Sequence, residues 1–246
     1  MRLGDIFLIF FMVLFPIHLS SNEIISLKSL ENIDGIFTIK KTKIPFTGNV
    51  KEFYQNKKIK YIGSLINGEK AGEWKHFEEN GVIWLLENYK SGKKFGPYVR
   101  YHIIGLPWKK GLYENDKKTG LWIFFSIDGN KLEAGNFLND KKNGSWEKYH
   151  DNGKLWEKIN YKKNLRHGFA HFYYNDGTLG NEENWKNGIK NGLWKMYYPN
   201  GKLRKIGSFK DDKKNGIWKT FSNNGNLYIT EIGIMVFYLK QKIHKR

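Results

Sequence analysis

Two ladders of glycine with a common period of 24 residues run through most of this chain and constrain its fold more than any other feature. The first ladder comprises Gly48, Gly72, Gly96, Gly120, Gly144, Gly168, Gly192 and Gly216. The second comprises Gly81, Gly105, Gly129, Gly153, Gly177, Gly201 and Gly225, with Lys57 one period before its first member. No insertion or deletion breaks the period. The chain is therefore predicted to repeat one supersecondary unit about eight times.

Aromatic residues recur between the glycines at fixed offsets. Two residues after the first-ladder glycines stand Trp74, Tyr98, Trp122, Trp146, Ala170, Trp194 and Trp218. A second column contains Tyr89, Tyr113, Phe137, Tyr161, Trp185 and Phe209. Each half-unit has about eight to ten residues between turn residues, which is the length of a strand. The pattern predicts an all-β fold, a single meandering antiparallel sheet of stacked 24-residue β-hairpins that advances roughly 10 Å per unit.

Turn residues separate the half-units. The first turn of most units carries Asn-Gly or Asp-Gly, as at Asn80-Gly81 and Asp128-Gly129, whereas Ile103-Ile104-Gly105 lacks the turn Asn. Because Asn-Gly accepts positive φ at both central positions, we predict a type I′ turn there. A second turn, as at Asn67-Gly68 or Asn139-Asp140, closes each unit.

The two ends of the chain fall outside the repeat. In residues 1–21, Arg2 precedes an apolar stretch and then small residues, which predicts a secretory signal peptide, with an uncleaved anchor as the alternative. Residues 22–45 are a predicted N-terminal cap in which Asp34-Gly35 indicates a hairpin, and residues 46–226 are the array. Residues 227–246 are a predicted C-terminal cap and basic tail, with a buried strand pair between Leu227 and Leu239.

Composition narrows the chemistry without selecting a partner. The chain has no cysteine, which excludes a disulfide framework, a thiolate nucleophile and a cysteine zinc site. Its net charge of +18 is compatible with nucleic acid, anionic lipid or an acidic protein as partner.

The unit pattern G-x-W-x-x-Y-x-x-N-G closely resembles the MORN repeat in its bacterial variant form. The segments Asp34-Gly35-Ile36-Phe37 and Ile44-Pro45-Phe46-Thr47-Gly48 resemble the lead-in of bacterial proteins that often carry the label of the YwqK-type antitoxin family. The resemblance covers residues 34 to about 230 and implies a sheet of stacked hairpins that contacts proteins or lipids. The unit with Ala170 at the tryptophan position and Gly180 inside a strand departs from the pattern, and we predict that it couples weakly to its neighbours.

A cationic residue stands two positions before each first-ladder glycine of the array from Gly72 onward. This set, called here the basic column, consists of Lys70, Lys94, Lys118, Lys142, Arg166, Lys190 and Lys214. Stacked units would align the column into an exposed basic edge with one charge per roughly 10 Å. Such an edge either binds polyanions or acidic membrane, or is simply a solvated edge copied with the repeat. Its regularity argues against sequence-specific contacts with nucleic acid.

No residue pattern predicts catalysis or metal binding. Tryptophans such as Trp74 and Trp122 are expected to fill the core, with ligand stacking as the alternative. His167 and His171 lie on one strand face roughly 13 Å apart, too far to share a metal. The chain carries neither a P-loop, a dinucleotide fingerprint nor a nucleophile elbow. We expect no catalytic residue, metal or cofactor, and we expect the recurring glycines and aromatics to be structural.

These expectations define a function class. The predicted leader favours an exported protein, in the periplasm, outer envelope or extracellular space, that binds a protein partner or acts as a scaffold through its extended sheet. A toxin-neutralising or immunity-type role and binding of polyanions or acidic membrane are the alternatives.

Overall fold

The computed structural model describes residues 24–233, so the predicted signal peptide and the tail beyond Gly233 lie outside the described residues. The strands are β1 (Ile24–Ile25), β2 (Leu30–Ile33), β3 (Ile36–Ile39), β4 (Gly48–Phe53), β5 (Ile59–Ile66), β6 (Glu69–Phe77), β7 (Ile83–Lys90), β8 (Lys93–Lys94), β9 (Gly96–Tyr101), β10 (Pro107–Glu114), β11 (Lys117–Phe125), β12 (Lys131–Leu138), β13 (Lys141–Tyr149), β14 (Leu155–Lys162), β15 (Leu165–Tyr173), β16 (Leu179–Lys186), β17 (Ile189–Tyr197), β18 (Leu203–Lys210), β19 (Lys213–Phe221) and β20 (Leu227–Ile232). A 3-10 helix spans Leu27–Ser29. Across this described range, no helix is both long enough and apolar enough to span a membrane.

One open sheet contains 18 of these strands, and from β4 to β20 they pair antiparallel in chain order. Each hairpin therefore adds two strands to the side of the previous hairpin. The all-β fold of stacked hairpins predicted from the glycine ladders is confirmed.

The two turns of each unit differ in geometry, and the prediction for the first turn is wrong. In the first turn, Gly81 N donates to Glu78 O and Glu78 N donates to Val82 O, both over 2.8 Å, which closes a three-residue loop. Gly81 has a φ of 92°, but Asn80 is not among the residues with positive φ. A type I turn followed by a left-handed glycine has this form. The type I′ geometry belongs to the second turn, where Asn67 and Gly68 have φ of 49° and 77°.

Both ladders of glycine are explained by backbone conformation. The first-ladder glycines from Gly72 onward have positive φ, from 61° at Gly120 to 111° at Gly192. They lie beside register shifts, for example where the pairing of β12 with β13 jumps between Gly135 and Phe137. Because a left-handed residue in a β-bulge favours glycine, the period records where each strand must bend.

The N-terminal edge of the array is covered. Strands β2 and β3 form the hairpin expected at Asp34-Gly35, and β1 pairs in parallel with β4. Leu30 and Phe46 join Val50, Leu65 and Trp74 in one buried cluster. The cap therefore supplies the first unit with the apolar neighbour that every other unit receives from the unit before it.

The C-terminal edge of the described sheet is strand β20, which pairs with β19. Its residues Leu227, Tyr228, Ile229 and Ile232 are between 41% and 74% exposed. The predicted strand pair between Leu227 and Leu239 is described only as far as Gly233, so its second strand lies outside the described residues. The buried C-terminal cap therefore stays a prediction.

Candidate functional site

A continuous row of side chains crosses the sheet on one face, which we call the tryptophan face. Register pairs connect its members: Trp122 with Gly135, Gly135 with Trp146, and Trp146 with Ile159. From β4 to β20 the row contains Val50, Gly63, Trp74, Glu87, Tyr98, Gly111, Trp122, Gly135, Trp146, Ile159, Ala170, Glu183, Trp194, Gly207, Trp218 and Glu231. The row brings the predicted aromatic positions together.

Most tryptophans of the row lie directly on a glycine of the preceding strand. A Cβ added at Gly63, Gly111, Gly135 or Gly207 would lie 2.1–2.3 Å from the nearest ring atom of Trp74, Trp122, Trp146 or Trp218. These four tryptophans are at most 2% exposed. Their burial makes them core residues, so ligand stacking on this column does not fit the structure.

The unit that carries Ala170 is packed by a reciprocal exchange. Ala170 pairs with Ile159, which occupies the position of the glycine in other units, and the two residues are 0% and 1% exposed. A larger side chain on one strand thus replaces the tryptophan missing from the other. Ala170 is therefore buried against its register partner, and the weak coupling expected of this unit stays a prediction.

The basic column lies on the tryptophan face and not on a freely solvated edge. All seven residues are only partly exposed. Lys118 Nζ lies 5.0 Å from the ring centroids of both Trp122 and Phe137, and Lys142 Nζ lies 3.9 Å from the ring centroid of Trp146. Equivalent contacts with aromatic rings are made by Lys70, Lys94, Arg166, Lys190 and Lys214. The column is therefore a row of cation–π contacts that covers the aromatic core.

The backbone of the same column joins each unit to the next. Asp140 N donates to Lys118 O over 3.1 Å, and Lys118 N donates to Asp140 Oδ1 over 2.9 Å. The same pair of bonds links Lys94 with Asp116. The main chain of the cationic residue thus holds the second turn of the following unit. These hydrogen bonds do not involve the side-chain cation.

A buried ionic cluster occupies the unit in which tyrosine replaces tryptophan. Glu87 is 4% exposed. One carboxylate oxygen lies 2.8 Å from Lys94 Nζ, and the other accepts a 2.8 Å hydrogen bond from the Tyr89 hydroxyl and lies 3.3 Å from His76 Nε2. Burial alone raises the pKa of Glu87, but these three neighbours lower it to about 2. The cluster keeps a charged carboxylate beneath Tyr98.

His167 and His171 have different neighbours in the sheet. His167 Nδ1 lies 3.1 Å from Asn187 Oδ1, while His171 pairs with Lys158 and stacks on Phe169. Between residues 24 and 233, no group of three or more His, Cys, Asp or Glu side chains is placed to hold a metal ion.

One first turn breaks the polar pattern of the others. Ile103 and Ile104 replace the polar loop residues and are 71% and 59% exposed. Leu106, Trp108 and, in the next turn along the edge, Ile127 are 40%, 38% and 51% exposed. A Cβ added at Gly129 would meet Leu106 Cδ1 at 3.4 Å, so Leu106 reaches the turn that holds Ile127. We call these five side chains the apolar tip.

A second non-repeating feature lies two units further on, around Trp156. This side chain is 46% exposed, unlike the tryptophans of the row. It belongs to an open groove of about 650 Å³, whose other lining residues are Leu132, Glu133, Lys148, Tyr149, His150, Asp151, Asn152 and Asn175. We call this feature the Trp156 groove. The repeat pattern did not predict the Trp156 groove, because Trp156 stands outside the two aromatic columns.

An open sheet of similar hairpins, most of them packed through the same glycine, tryptophan and cation, defines a β-hairpin repeat protein. Five segments match the model of the MORN repeat variant, at residues 46–67, 70–91, 142–163, 190–211 and 214–231. These five segments are MORN-variant repeats, as the unit pattern indicated. Four of the matched segments begin at a basic-column residue, namely Lys70, Lys142, Lys190 and Lys214. No curated protein matches the chain.

Proposed function

We propose that this repeat array is a non-catalytic protein-binding module, and that the apolar tip is the centre of its contact with a protein partner. The observation that carries the proposal is the loss of repeat symmetry at Ile103 and Ile104. Every other first turn from Asn80 to Asn224 has Asn or Asp at the position of Ile104. A contiguous group of exposed apolar side chains ringed by polar residues marks an interaction site more often than scattered ones do.

The residues around the tip have the chemistry of a protein interface. The Arg100 guanidinium lies 4.8 Å from the ring centroid of Trp108, and Lys109 Nζ lies at the same distance. Tryptophan and arginine are the residues most enriched among those that dominate binding energy. Cations at the rim of an apolar centre favour an acidic surface on the partner, in keeping with the net charge of +18.

The tip is also held in one conformation before a partner arrives. His102 N donates to Leu106 O over 2.8 Å, Gly105 N donates to His102 O over 2.9 Å, and His102 Nε2 lies 3.3 Å from Phe125 O in the next unit. A loop that is already ordered loses little conformational entropy on binding. The array thus serves as a scaffold that presents the tip.

Site-specific photo-crosslinking tests this proposal. A photoreactive residue at Ile104 is expected to capture a defined protein in the native host, while the same residue at Asn200, the equivalent exposed position four units later, captures none. A double variant, Ile103→Asn with Ile104→Asn, restores the polar turn and is expected to lose the partner with an unchanged circular dichroism spectrum. Equal capture from Ile104 and Asn200, or full binding by the double variant, would contradict the proposal.

We also propose that the protein acts outside the cytoplasm. The leader-like order of residues 1–21 supports export to the periplasm, outer envelope or extracellular space. N-terminal sequencing of the protein from its host tests this, because a soluble cytoplasmic chain that retains Met1 would contradict export. A toxin-neutralising role is a special case of protein binding, in which the captured partner is a toxin.

Polyanion binding is a second candidate, supported by lysines other than the basic column. Lys93, Lys117, Lys141 and Lys213 lie at the second turns and are exposed. Together they form a charged edge that does not depend on the residues over the aromatic rings. Replacement of these four with Gln is expected to abolish any salt-sensitive binding to heparin. Unchanged heparin binding by this variant, or no binding by the parent at low salt, would eliminate this candidate.

A further inference from the structure

We propose that the Trp156 groove binds a neutral saccharide, with the apolar face of one sugar ring stacked on the indole of Trp156. This site lies apart from the apolar tip, and its argument does not rest on the proposed protein partner.

The groove and the apolar tip are two versions of one structural frame. The segments 101–108 and 149–156 read YHIIGLPW and YHDNGKLW. His102 and Trp108 have ring centroids 6.2 Å apart at 44°, while His150 and Trp156 have centroids 6.0 Å apart at 39°. In both copies the histidine Nε2 lies within 3.3 Å of a carbonyl oxygen in the next unit. The aromatic frame is therefore the same at the two sites.

The residues that surround the frame have opposite chemistry. Asp151, Asn152 and Asn175 occupy the repeat positions of the three isoleucines of the apolar tip. Glu133 likewise stands 48 residues after Leu85. The first copy thus has apolar side chains at the turn positions beside its aromatic ring, and the second has a carboxylate and amides there.

The polar groups of the groove are organised. Asn152 Nδ2 donates to Asn175 O over 2.7 Å and to Asn175 Oδ1 over 3.0 Å, so that two successive turns are tied together. Lys148 Nζ lies 2.7 Å from Glu157 and 5.5 Å from the Trp156 ring centroid. In the described part of the chain, the Asp151 carboxylate has no hydrogen bond or ion pair and faces solvent beside Trp156.

The combination of groups selects the ligand class. Glu133 is ion-paired with Lys142, and Lys148 is ion-paired with Glu157. The Asp151 carboxylate has no such partner among the described residues, so it disfavours an anionic ligand. A partly exposed indole face requires a ligand with a flat apolar surface. Sugars meet both conditions, because a pyranose ring has an apolar C–H face and hydroxyl groups at its rim that donate to carboxylates and accept from amides. The groove volume of about 650 Å³ is in the range of small-ligand sites.

A comparison of two single variants tests the inference. The full chain is titrated by isothermal calorimetry with neutral oligosaccharides of glucose, mannose, galactose and N-acetylglucosamine. At least one of these probes is expected to bind the parent. Trp156→Ala is expected to weaken that binding roughly tenfold or more, because the stacking surface is lost. Trp108→Ala removes the matching ring of the apolar tip and is expected to leave saccharide affinity unchanged.

The conservative variant Asp151→Asn gives a second measurement in a fold that keeps its tryptophan. It is expected to lower affinity by a smaller factor, since an amide replaces one acceptor for sugar hydroxyls. Circular dichroism spectra that coincide with the parent exclude loss of fold as the cause. Failure of all probes to bind the parent, or equal binding by Trp156→Ala and Trp108→Ala, would overturn the inference. Either result leaves the test at Ile104 untouched, so the two proposals fail independently.

Discussion

Trp146 and Gly135 are register partners on adjacent strands, and the indole fills the space that a side chain at Gly135 would need. The indole Nε1 also donates to Asn136 O over 2.9 Å, so the ring is fixed in direction as well as in position. The same relationship holds for Trp122 and Gly111, and Trp122 Nε1 donates to Leu112 O over 3.1 Å. The aromatic ring on one strand is therefore buried because the preceding strand has a glycine, with no side chain, at the facing position.

The first prediction is that Gly135→Ala destabilises the array. The added Cβ would lie 2.3 Å from Trp146, so the ring or a strand must move, at a cost of about 1–3 kcal/mol. Gly180→Ala is the control, since its Cβ would meet nothing closer than 3.3 Å and its φ is not in the left-handed region. Urea unfolding followed by tryptophan fluorescence measures the difference. Equal midpoints for the two variants would contradict the packing of ring on glycine.

The second prediction concerns the exchanged pair Ile159 and Ala170. Ala170→Trp alone should clash with Ile159, and Ile159→Gly alone should leave a cavity, each lowering the free energy of unfolding by about 2–4 kcal/mol. The double variant restores the glycine and tryptophan found in neighbouring units and should recover most of that loss. A double-mutant cycle measures the coupling, and losses that simply add would show that the two residues are independent.

The third prediction separates the basic column from its exposed neighbours. Lys118→Gln removes a cation that lies over Trp122 and Phe137 and should lower the free energy of unfolding by roughly 0.5–1 kcal/mol. Lys117→Gln changes an exposed residue and should have no measurable effect. Chemical unfolding of the two variants at the same ionic strength tests this. A larger effect at Lys117 than at Lys118 would restore the view that the column is a solvated edge.

The fourth prediction is a dependence of stability on acid pH that arises at Glu87. The folded pKa of this carboxyl, about 2, lies below its usual value of 4.5. Its stabilising effect is therefore complete above pH 4.5 and is lost as the pH falls towards 2. Glu87→Gln should lower the free energy of unfolding at neutral pH by about 1–3 kcal/mol and flatten the decline in that pH window. A variant whose unfolding midpoint keeps the full acid dependence of the parent would assign the effect to another group.

Repetition made the strand count and the pairing order predictable, because a fixed period leaves one way to stack identical hairpins. The turn at Asn80 was not predictable in detail, since Asn-Gly suits both a type I′ turn and a type I turn that ends in a left-handed glycine. The environment of Lys118 was also hidden. A column of lysines looks solvated in the sequence. Only the sheet register, in which Gly120 pairs with Phe137, brings the Lys118 ammonium over the Phe137 ring.

The candidate sites show the same limit. Ile103 and Ile104 were visible in the sequence as a departure from the turn pattern, but their exposure depends on how neighbouring turns line up. Trp156 is chemically identical to the buried Trp146, and only its place on strand β14 leaves it exposed. Periodicity identifies the residues that all units share, whereas a binding site consists of those that they do not.

Trp108 of the apolar tip and Trp156 of the groove are two repeat periods apart, or roughly 20 Å along the sheet at the usual strand spacing. Since most junctions are built on one plan, gain of a unit between them during evolution would move the two sites apart by a fixed step of roughly 10 Å and leave each intact. The distance between two sites on the array can therefore take only discrete values. A partner that contacts both sites at once would recognise a copy number, and related chains with different numbers of units would be told apart by length alone.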